Sequence, residues 1–200
     1  MDHNPITDQG LESIGVMPKL SSLGVGGTQV TVQGLKKVLD RIPMRSLSLQ
    51  DLNWTMEDLK SLGLDPKVLN TLDLSGWKIG DEDLKSLPDV LVLDLSRTNF
   101  TDAGVTELAK LPKLGMLTCM ETKLSLKGLE EMIQSTRIVS ASVGKTGISF
   151  EDLMQVESFG RIGSLTLDGM DLSAEQLRQL HGKHPKMRIV SDDRAFFPPQ

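Results

Sequence analysis

Apolar residues recur along this chain in a frame of five positions. The second follows the first by three residues, the third follows the second by two, and the last two come five and ten residues after the third. The third members of the seven matches are Val25, Leu49, Leu74, Leu95, Cys119, Val143 and Leu167. They lie 24, 25, 21, 24, 24 and 24 residues apart, so the chain consists of repeats of nearly constant length.

Each repeat predicts one short strand followed by one short helix. The second and third members are separated by a single residue, which is typical of a strand with one face turned inward. Six positions after the third member, six of the seven repeats carry Ser or Thr, whose oxygen can cap a helix. These positions are Thr31, Thr55, Gly80, Thr101, Ser125, Ser149 and Ser173. Residues Val105 to Ala109 exemplify the helix that follows, with apolar residues at helical spacing.

The combined pattern, LxxLxLxxTxxTDxGL, resembles the leucine-rich repeat. It is closest to the bacterial variety whose repeats read like ITDAGL, related to the cysteine-containing subclass, and it covers about Ile6 to Ile189. The resemblance implies an α/β solenoid in the form of a right-handed arc. Parallel strands would line the concave face and short helices the convex face, with about seven full repeats and terminal half-repeats. The functional implication is a curved surface that binds other macromolecules.

The position three residues after the third member of the frame, which we call the threonine slot, holds Thr in some repeats and other residues in the rest. Thr28, Thr98, Thr122 and Thr146 stand where other leucine-rich repeats place Asn or Cys. Leu52, Trp77 and Met170 depart from this pattern, so we expect packing to replace the internal hydrogen bonds there. Trp54 takes the slot of Phe100 and Ile79 and is expected in the core, whereas Trp77 is interpreted as a packed side chain, with partial exposure as the alternative.

The two ends of the chain predict caps. Residues 1–19 contain the second half of a repeat without its strand, 20–184 hold the repeats, and 185–200 form a C-terminal strand and cap. We expect Phe196 and Phe197 to fold over the exposed edge of the core, as terminal repeats require. The broken first repeat equally fits a chain cut from a longer protein.

Composition and charge narrow the classes of partner. A net charge of -5, a pI near 5.2 and the lack of Tyr argue against nucleic-acid binding. No apolar run is long enough to cross a membrane. The start of the chain lacks a signal peptide, which favours a cytoplasmic location unless an upstream segment is missing. The one cysteine, Cys119, cannot form an internal disulfide and is expected in the core.

Two short motifs suggest enzyme chemistry. The GKT at 144–146 resembles the end of a phosphate loop, which needs a glycine where this chain has Val139. We therefore interpret Thr146 as the repeat threonine and Lys145 as a freely varying turn residue. His181 and His184 have a metal-like spacing, but zinc needs three or four ligands, and we expect them in a solvated loop.

The remaining enzyme hypothesis depends on Asp73 and Asp94, a pair of neighbouring acids whose repulsion should shift their titration. We assign no catalytic residue, metal or cofactor. The basic segment from Arg178 to Arg188 is either a solvated end-repeat or a site for an acidic partner.

The strand residues between the inward positions should line the concave face. Most of them are small and hydroxylated. The middle differs, because Val92 and Met116 should be lateral neighbours there. The predicted interface comprises Val92, Asp94, Arg97, Met116, Thr118, Met120 and Glu121. Apolar residues ringed by charge can form an interface centre, and the alternative is ordinary surface exposure combined with strand propensity.

The sequence therefore favours a non-catalytic protein-interaction module that binds another protein through its concave face. We expect a monomer that neither binds nucleic acid nor inserts into a membrane. The alternative is a structural spacer within a larger multidomain protein.

Overall fold

A stack of short parallel strands organises the fold, which a computed structural model describes for residues 4–17, 19–157 and 159–198. In this part of the chain, nine strands form one sheet and follow the order of the sequence. They are β1 (Ser22–Gly24), β2 (Ser46–Ser48), β3 (Thr71–Asp73), β4 (Val92–Asp94), β5 (Met116–Thr118), β6 (Ser140–Ser142), β7 (Ser164–Thr166), β8 (Arg188–Ser191) and β9 (Arg194–Phe196). Neighbours up to β8 pair in parallel, and β9 returns antiparallel to β8.

The apolar frame becomes a continuous core. The middle residue of every strand from β1 to β7 is buried, and the third members of the frame, from Val25 to Leu167, are all fully buried. Each repeat contacts its neighbours through this core, so no repeat has to bury its apolar face alone. The prediction of strands with one face inward is confirmed.

Helices cover the buried face of the sheet, opposite the open face. They are α1 (Asp8–Glu12), α2 (Val32–Leu39), α3 (Met56–Ser61), α4 (Val105–Leu108), α5 (Leu126–Ser135), α6 (Phe150–Gln155) and α7 (Ala174–Lys183), with 3₁₀ helices at Ser13–Val16, Asp81–Ser86 and Asp102–Gly104. The repeat of 21 residues, from Leu74 to Leu95, has only a 3₁₀ helix. A 3₁₀ helix rises more per residue than an α-helix, so a shorter repeat can still span the stack.

The predicted caps are confirmed at all six Ser and Thr positions. Each side-chain oxygen accepts a backbone N–H from the first helical turn. The structure adds a second partner, which differs between repeats. At Thr55 and Ser149, an acid three residues on (Asp58 or Asp152) accepts the backbone N–H of the cap residue and completes a capping box.

Gln176 serves Ser173 in the same way, whereas at Thr31, Thr101 and Ser125 an acid comes from the preceding repeat. Asp102 accepts hydrogen bonds from the backbone N–H and the hydroxyl of Ser125, at 2.8 and 2.5 Å. Asp8 and Asp81 bind the caps Thr31 and Thr101 in the same way. The residue three after each of these caps is Gly34, Gly104 or Gly128, and a Cβ there would lie 2.0 to 2.5 Å from the bridging carboxylate. The glycine therefore makes room for an acid that links two repeats.

The threonine slot also behaves as a hydrogen-bonding position. The hydroxyl of Thr98 donates to the carbonyl oxygen of Leu95 at 2.6 Å, and Thr28, Thr122 and Thr146 repeat this contact. Trp77 is buried, as expected, but packing does not simply replace the hydrogen bond. Its indole N–H donates to the carbonyl oxygen of Leu49 at 2.7 Å, in the preceding repeat whose own slot holds Leu52. Trp54 is not in the core as expected: it is only partly buried, packs against the core and meets Trp77 edge to face, with centroids 6.4 Å apart.

The ends of the stack are closed differently. At the N-terminal end, α1 packs on α2 with Leu11 buried, and Ile14 of the following 3₁₀ helix is buried as well. At the C-terminal end, β9 covers the edge of the sheet. Phe196 packs against the core, whereas Phe197 is 62% exposed and lies against Arg188, so the expectation for Phe197 is wrong.

The proposed segment boundaries at 19/20 and 184/185 stay a prediction. The N-terminal segment includes residues 1–3 and 18, and the C-terminal segment includes 199 and 200. All of these lie outside the described residues.

Candidate interaction surface

The open face of the sheet, which we call the concave face, carries two rows of side chains. The first residues of the strands form one row: Ser22, Ser46, Thr71, Val92, Met116, Ser140, Ser164 and Arg188. The third residues form the other: Gly24, Ser48, Asp73, Asp94, Thr118, Ser142, Thr166 and Val190. Most of these side chains are small, so the backbone of a partner could approach closely. The central strands are the exception.

An apolar patch occupies the start of the central strands. Val92 pairs laterally with Met116, as the sequence predicts. The structure adds Leu91 and Val139, which precede β4 and β6, and Leu91, Met116 and Val139 are exposed at 47%, 43% and 49%. We refer to Leu91, Val92, Met116 and Val139 as the apolar patch.

Gly115 joins the two outer members of this patch. Its backbone N–H donates to the carbonyl oxygen of Leu91 at 3.0 Å, and its own carbonyl accepts from the N–H of Val139 at 2.8 Å. A Cβ on Gly115 would lie 3.2 Å from the nearest methyl carbon of Leu91. The three residues therefore form one row, with a glycine as the low point between two exposed apolar side chains.

An acidic pair lies next to the apolar patch. Asp73 and Asp94 are lateral neighbours on β3 and β4. Asp73 accepts from the Ser48 hydroxyl at 2.8 Å and from the Ser75 N–H at 2.9 Å, and Asp94 accepts from the Ser96 N–H at 2.8 Å. Burial raises the pKa of Asp94, the hydrogen bonds from Ser96 oppose the shift, and the charge of Asp73 adds to it. A raised pKa for Asp94 fits the expectation, although burial outweighs the repulsion from Asp73.

The turns that follow the strands form a third row, two residues after each third member of the frame. Its seven members all have φ between 54° and 78°: Gly27, Asp51, Gly76, Arg97, Glu121, Lys145 and Gly169. Lys145 is therefore not a freely varying position, because its backbone must adopt the left-handed region that favours glycine. Arg97 binds Asp51 with both guanidinium nitrogens, and Lys145 lies 3.4 Å from Glu121.

The seven residues of the predicted interface divide into two groups. Val92, Asp94, Met116 and Thr118 lie on the strands, and the remainder, Arg97, Met120 and Glu121, lie in the turns. Met120 follows Met116 by four residues, roughly 13 Å along an extended chain. The charged turn residues consequently lie on the far side of Asp73 and Asp94 from the apolar patch, and Asp89 and Arg137 stand two residues before Leu91 and Val139. Whether any of these residues binds a partner stays a prediction.

Cys119 is a core residue. Its side chain is fully buried below β5, and its thiol lies 3.5 Å from the carbonyl oxygen of Ser142. Burial raises the pKa of the thiol to about 12, and the negative charge of Asp94 adds to the shift. A thiol in this state is a poor nucleophile.

The two histidines are not in a solvated loop, contrary to expectation. His181 lies on α7 and His184 directly follows it, and the Nε2 atoms of both are buried without a hydrogen-bond partner. The His184 ring packs edge to face on Phe159, with ring centroids 4.7 Å apart. The His181 ring packs on Phe196 in a tilted arrangement, with centroids 5.8 Å apart. The antiparallel return of β9, which sequence periodicity does not show, brings Phe196 to this end of the stack. Within the described residues, no three His, Cys, Asp or Glu side chains are placed to hold a metal ion.

The GKT segment is part of the repeat. The Thr146 hydroxyl donates to the carbonyl oxygen of Val143 at 2.8 Å and accepts from the Ile148 N–H, as the other slot threonines do. A Cβ on Gly144 would lie 2.0 Å from the carbonyl oxygen of Asp168, so this glycine admits the backbone of the next repeat. The loop therefore packs against the next repeat.

Comparisons with known proteins agree with this architecture. A family model described as a leucine-rich repeat matches residues 88–109, the segment that contains β4 and α4. The crystal structure of the TLR13–ssRNA13 complex superposes with a TM-score of 0.53 at 19% identity. The match covers 77% of this chain and 23% of the TLR13 chain, so this chain spans about a quarter of that protein's length. No curated protein matches the sequence.

The class of protein follows from the fold and the repeat together. The chain has an α/β solenoid fold of the leucine-rich repeat type, and its segment 88–109 matches the leucine-rich repeat family model. In the described part of the chain, no helix is long and apolar enough to span a membrane.

Proposed function

We propose that this chain is a non-catalytic module that binds another protein through its concave face. The observation that carries the proposal is the apolar patch, whose three exposed apolar side chains stand at the start of three neighbouring strands of an otherwise small and hydroxylated face. Clustered exposed apolar residues with polar surroundings are typical of interface centres. Methionine adds adaptability, because its flexible side chain fits irregular partner surfaces.

The charges of this face favour a protein over a nucleic acid. Asp73 and Asp94 lie at its centre, and among the described residues of the two strand rows Arg188 is the only cation. A nucleic-acid site normally neutralises several phosphates with Lys and Arg. TLR13 was crystallised with single-stranded RNA, and the likeness to it at 19% identity concerns the fold alone.

The non-catalytic part of the proposal rests on the chemistry of the same face. Its polar groups are mainly hydroxyls, and the Cys119 thiol lies beneath it with a strongly raised pKa. We also propose that the repeats are of the bacterial ITDxGL variety. The bridging acids support this, because Thr101, Asp102 and Gly104 occupy the T, D and G of that pattern and each has a structural role.

Affinity capture with matched variants tests the binding role. The Val92→Asp, Met116→Asp variant places two acids in the apolar patch. An Ala103→Asp, Gln134→Asp variant places two acids at exposed helix positions on the opposite surface. After circular dichroism confirms that both are folded, the proposal expects a protein retained by the wild type and by the helix variant and lost by the patch variant.

The other outcomes are equally informative. Equal capture by all three proteins contradicts binding at the apolar patch. No capture by any of them favours the alternative, a structural spacer within a larger multidomain protein.

A further inference from the structure

The apolar patch and the acidic pair share strands, which fixes the distance between them. Val92 and Asp94 both lie on β4, two residues apart, so their side chains point to the same face about 7 Å from each other. Met116 lies beside Val92 and Asp73 beside Asp94. The concave face therefore presents an apolar row and an acidic row side by side.

Within the described residues, no cation bonds directly to either acid of the acidic row, although the charge of Arg97 acts on both from a distance and opposes the rise in the pKa of Asp94. Each hydrogen bond to Asp73 and Asp94 comes from a neutral group, a serine hydroxyl or a backbone N–H, and neither acid forms an ion pair there. The nearest arginine in sequence, Arg97, is engaged with Asp51 at 2.8 and 3.2 Å. Two half-buried carboxylates side by side repel each other, and a cation placed over them would relieve that repulsion.

We propose that the partner segment carries an apolar side chain with a lysine or arginine two residues away. In an extended segment, residues i and i+2 point the same way and lie about 7 Å apart, which matches the spacing of the two rows. The apolar side chain rests on Val92 and Met116, beside Leu91, and the cation lies over Asp73 and Asp94. This inference rests on the proposed function, since it names the chemistry of the partner for the same face.

Selection from a displayed random peptide library tests the proposal. The baits are the wild type, an Asp73→Asn, Asp94→Asn variant, the Val92→Asp, Met116→Asp variant and the Ala103→Asp, Gln134→Asp control. On the wild type and the control, the enriched peptides should share an apolar residue and a Lys or Arg two positions apart. A synthetic peptide from that set should bind the double asparagine variant about tenfold more weakly, and its wild-type affinity should fall as salt rises.

The outcomes separate this inference from the function on which it rests. Peptides enriched for apolar residues alone, or bound equally by the double asparagine variant, would overturn the inference and leave a protein-binding face intact. If no peptide is enriched on the wild type over the patch variant, both proposals fail. A single-stranded RNA oligonucleotide that displaces the peptides would also overturn it, in favour of a nucleic-acid partner.

Discussion

The indole N–H of Trp77 donates to the carbonyl oxygen of Leu49, 2.7 Å away in the preceding repeat. Leu49 belongs to the repeat whose slot holds Leu52 instead of Thr, so that repeat has no hydroxyl to donate to its own carbonyl. Trp77 occupies the same slot one repeat later and reaches back. Two departures from the repeat pattern thus compensate each other across neighbouring repeats.

This relationship predicts a specific rescue. Trp77→Phe leaves the buried Leu49 carbonyl without its side-chain donor and should lower the free energy of unfolding by about 1–3 kcal/mol. In that background, Leu52→Thr should be more stable than the isosteric Leu52→Val, because the threonine hydroxyl can donate as Thr98 does to Leu95. Denaturant unfolding measures the difference. Equal stability of the Thr and Val variants in the Trp77→Phe background would contradict the interpretation.

The two capping arrangements should be interchangeable. Asp102→Ala removes both acceptors of Ser125 and should cost about 0.5–2 kcal/mol of the unfolding free energy. Gly128→Asp alone should also destabilise the protein, because its Cβ would lie 2.1 Å from Asp102 Oδ1. Combining the two changes would let the introduced aspartate complete a capping box like that of Ser149 and Asp152. The double variant should then be more stable than either single variant, and strictly additive losses would refute the exchange.

Gly76 allows Arg97 to reach Asp51 across an intervening repeat. Its φ is +78°, and a Cβ there would lie 2.0 Å from Asp51 Oδ1. Gly76→Ala should therefore lower the unfolding free energy by roughly 1–2 kcal/mol or more, the cost of a left-handed non-glycine residue. Gly147→Ala is the matched control, since no heavy atom would lie within 4 Å of its Cβ. Similar unfolding curves for the two variants would show that Gly76 has no such role.

His184 predicts a loss of stability in mild acid. Burial lowers the pKa of His184 below its ordinary value of 6.5, the charge of Lys183 lowers it further, and a hydrogen bond with the Val156 backbone opposes the shift. The unfolded chain then binds the proton more readily than the folded chain. The stabilising contribution of His184 is present above pH 6.5 and is lost as the pH falls from 6.5 to the folded pKa.

Unfolding experiments between pH 7 and pH 5 measure this contribution. The wild type should lose more stability over this range than His184→Phe, which keeps a ring against Phe159. Glu157, Arg161 and Lys186, which line the cleft beside His184, are present in both proteins, so their effect cancels in the comparison. Identical pH slopes would contradict the assignment.

The sequence predicts the repeat register well, because equivalent positions of the apolar frame in neighbouring repeats are the residues that pair between neighbouring strands. Seven strand positions and six helix caps follow from that frame alone. The bridging acids could also have been found, since a glycine three residues after a cap coincides with an acid in the preceding repeat. The burial of His181 and His184 could not, because it depends on Phe159 and on the return of β9.

The candidate surface also contains residues that the sequence pattern predicts and residues that it does not. Val92 and Met116 lie between inward residues and are visible in the pattern. Leu91 and Val139 precede the strands and are therefore not among the strand residues that the alternating pattern marks, although both occupy the same column of the repeat. Met120 is wrongly grouped with Met116. The order of neighbouring strands does not show how far apart two residues of one repeat lie along the chain.

The central claim is that the concave face is where a protein partner binds. Ser140 lies beside Met116 on that face, and Ser135 is exposed on α5, on the opposite surface. Ser140→Cys and Ser135→Cys are nearly isosteric changes that can each carry a photo-activated cross-linker. Cys119 can stay in both, because it is fully buried and its pKa is raised to about 12, so the wild type should remain unlabelled.

Cross-linking in extracts of the source cells then tests the claim directly. We predict a discrete protein adduct from position 140 and none from position 135, and a Val92→Asp, Met116→Asp background should abolish the adduct. An adduct that forms equally from both positions, or only from position 135, would contradict binding at the concave face.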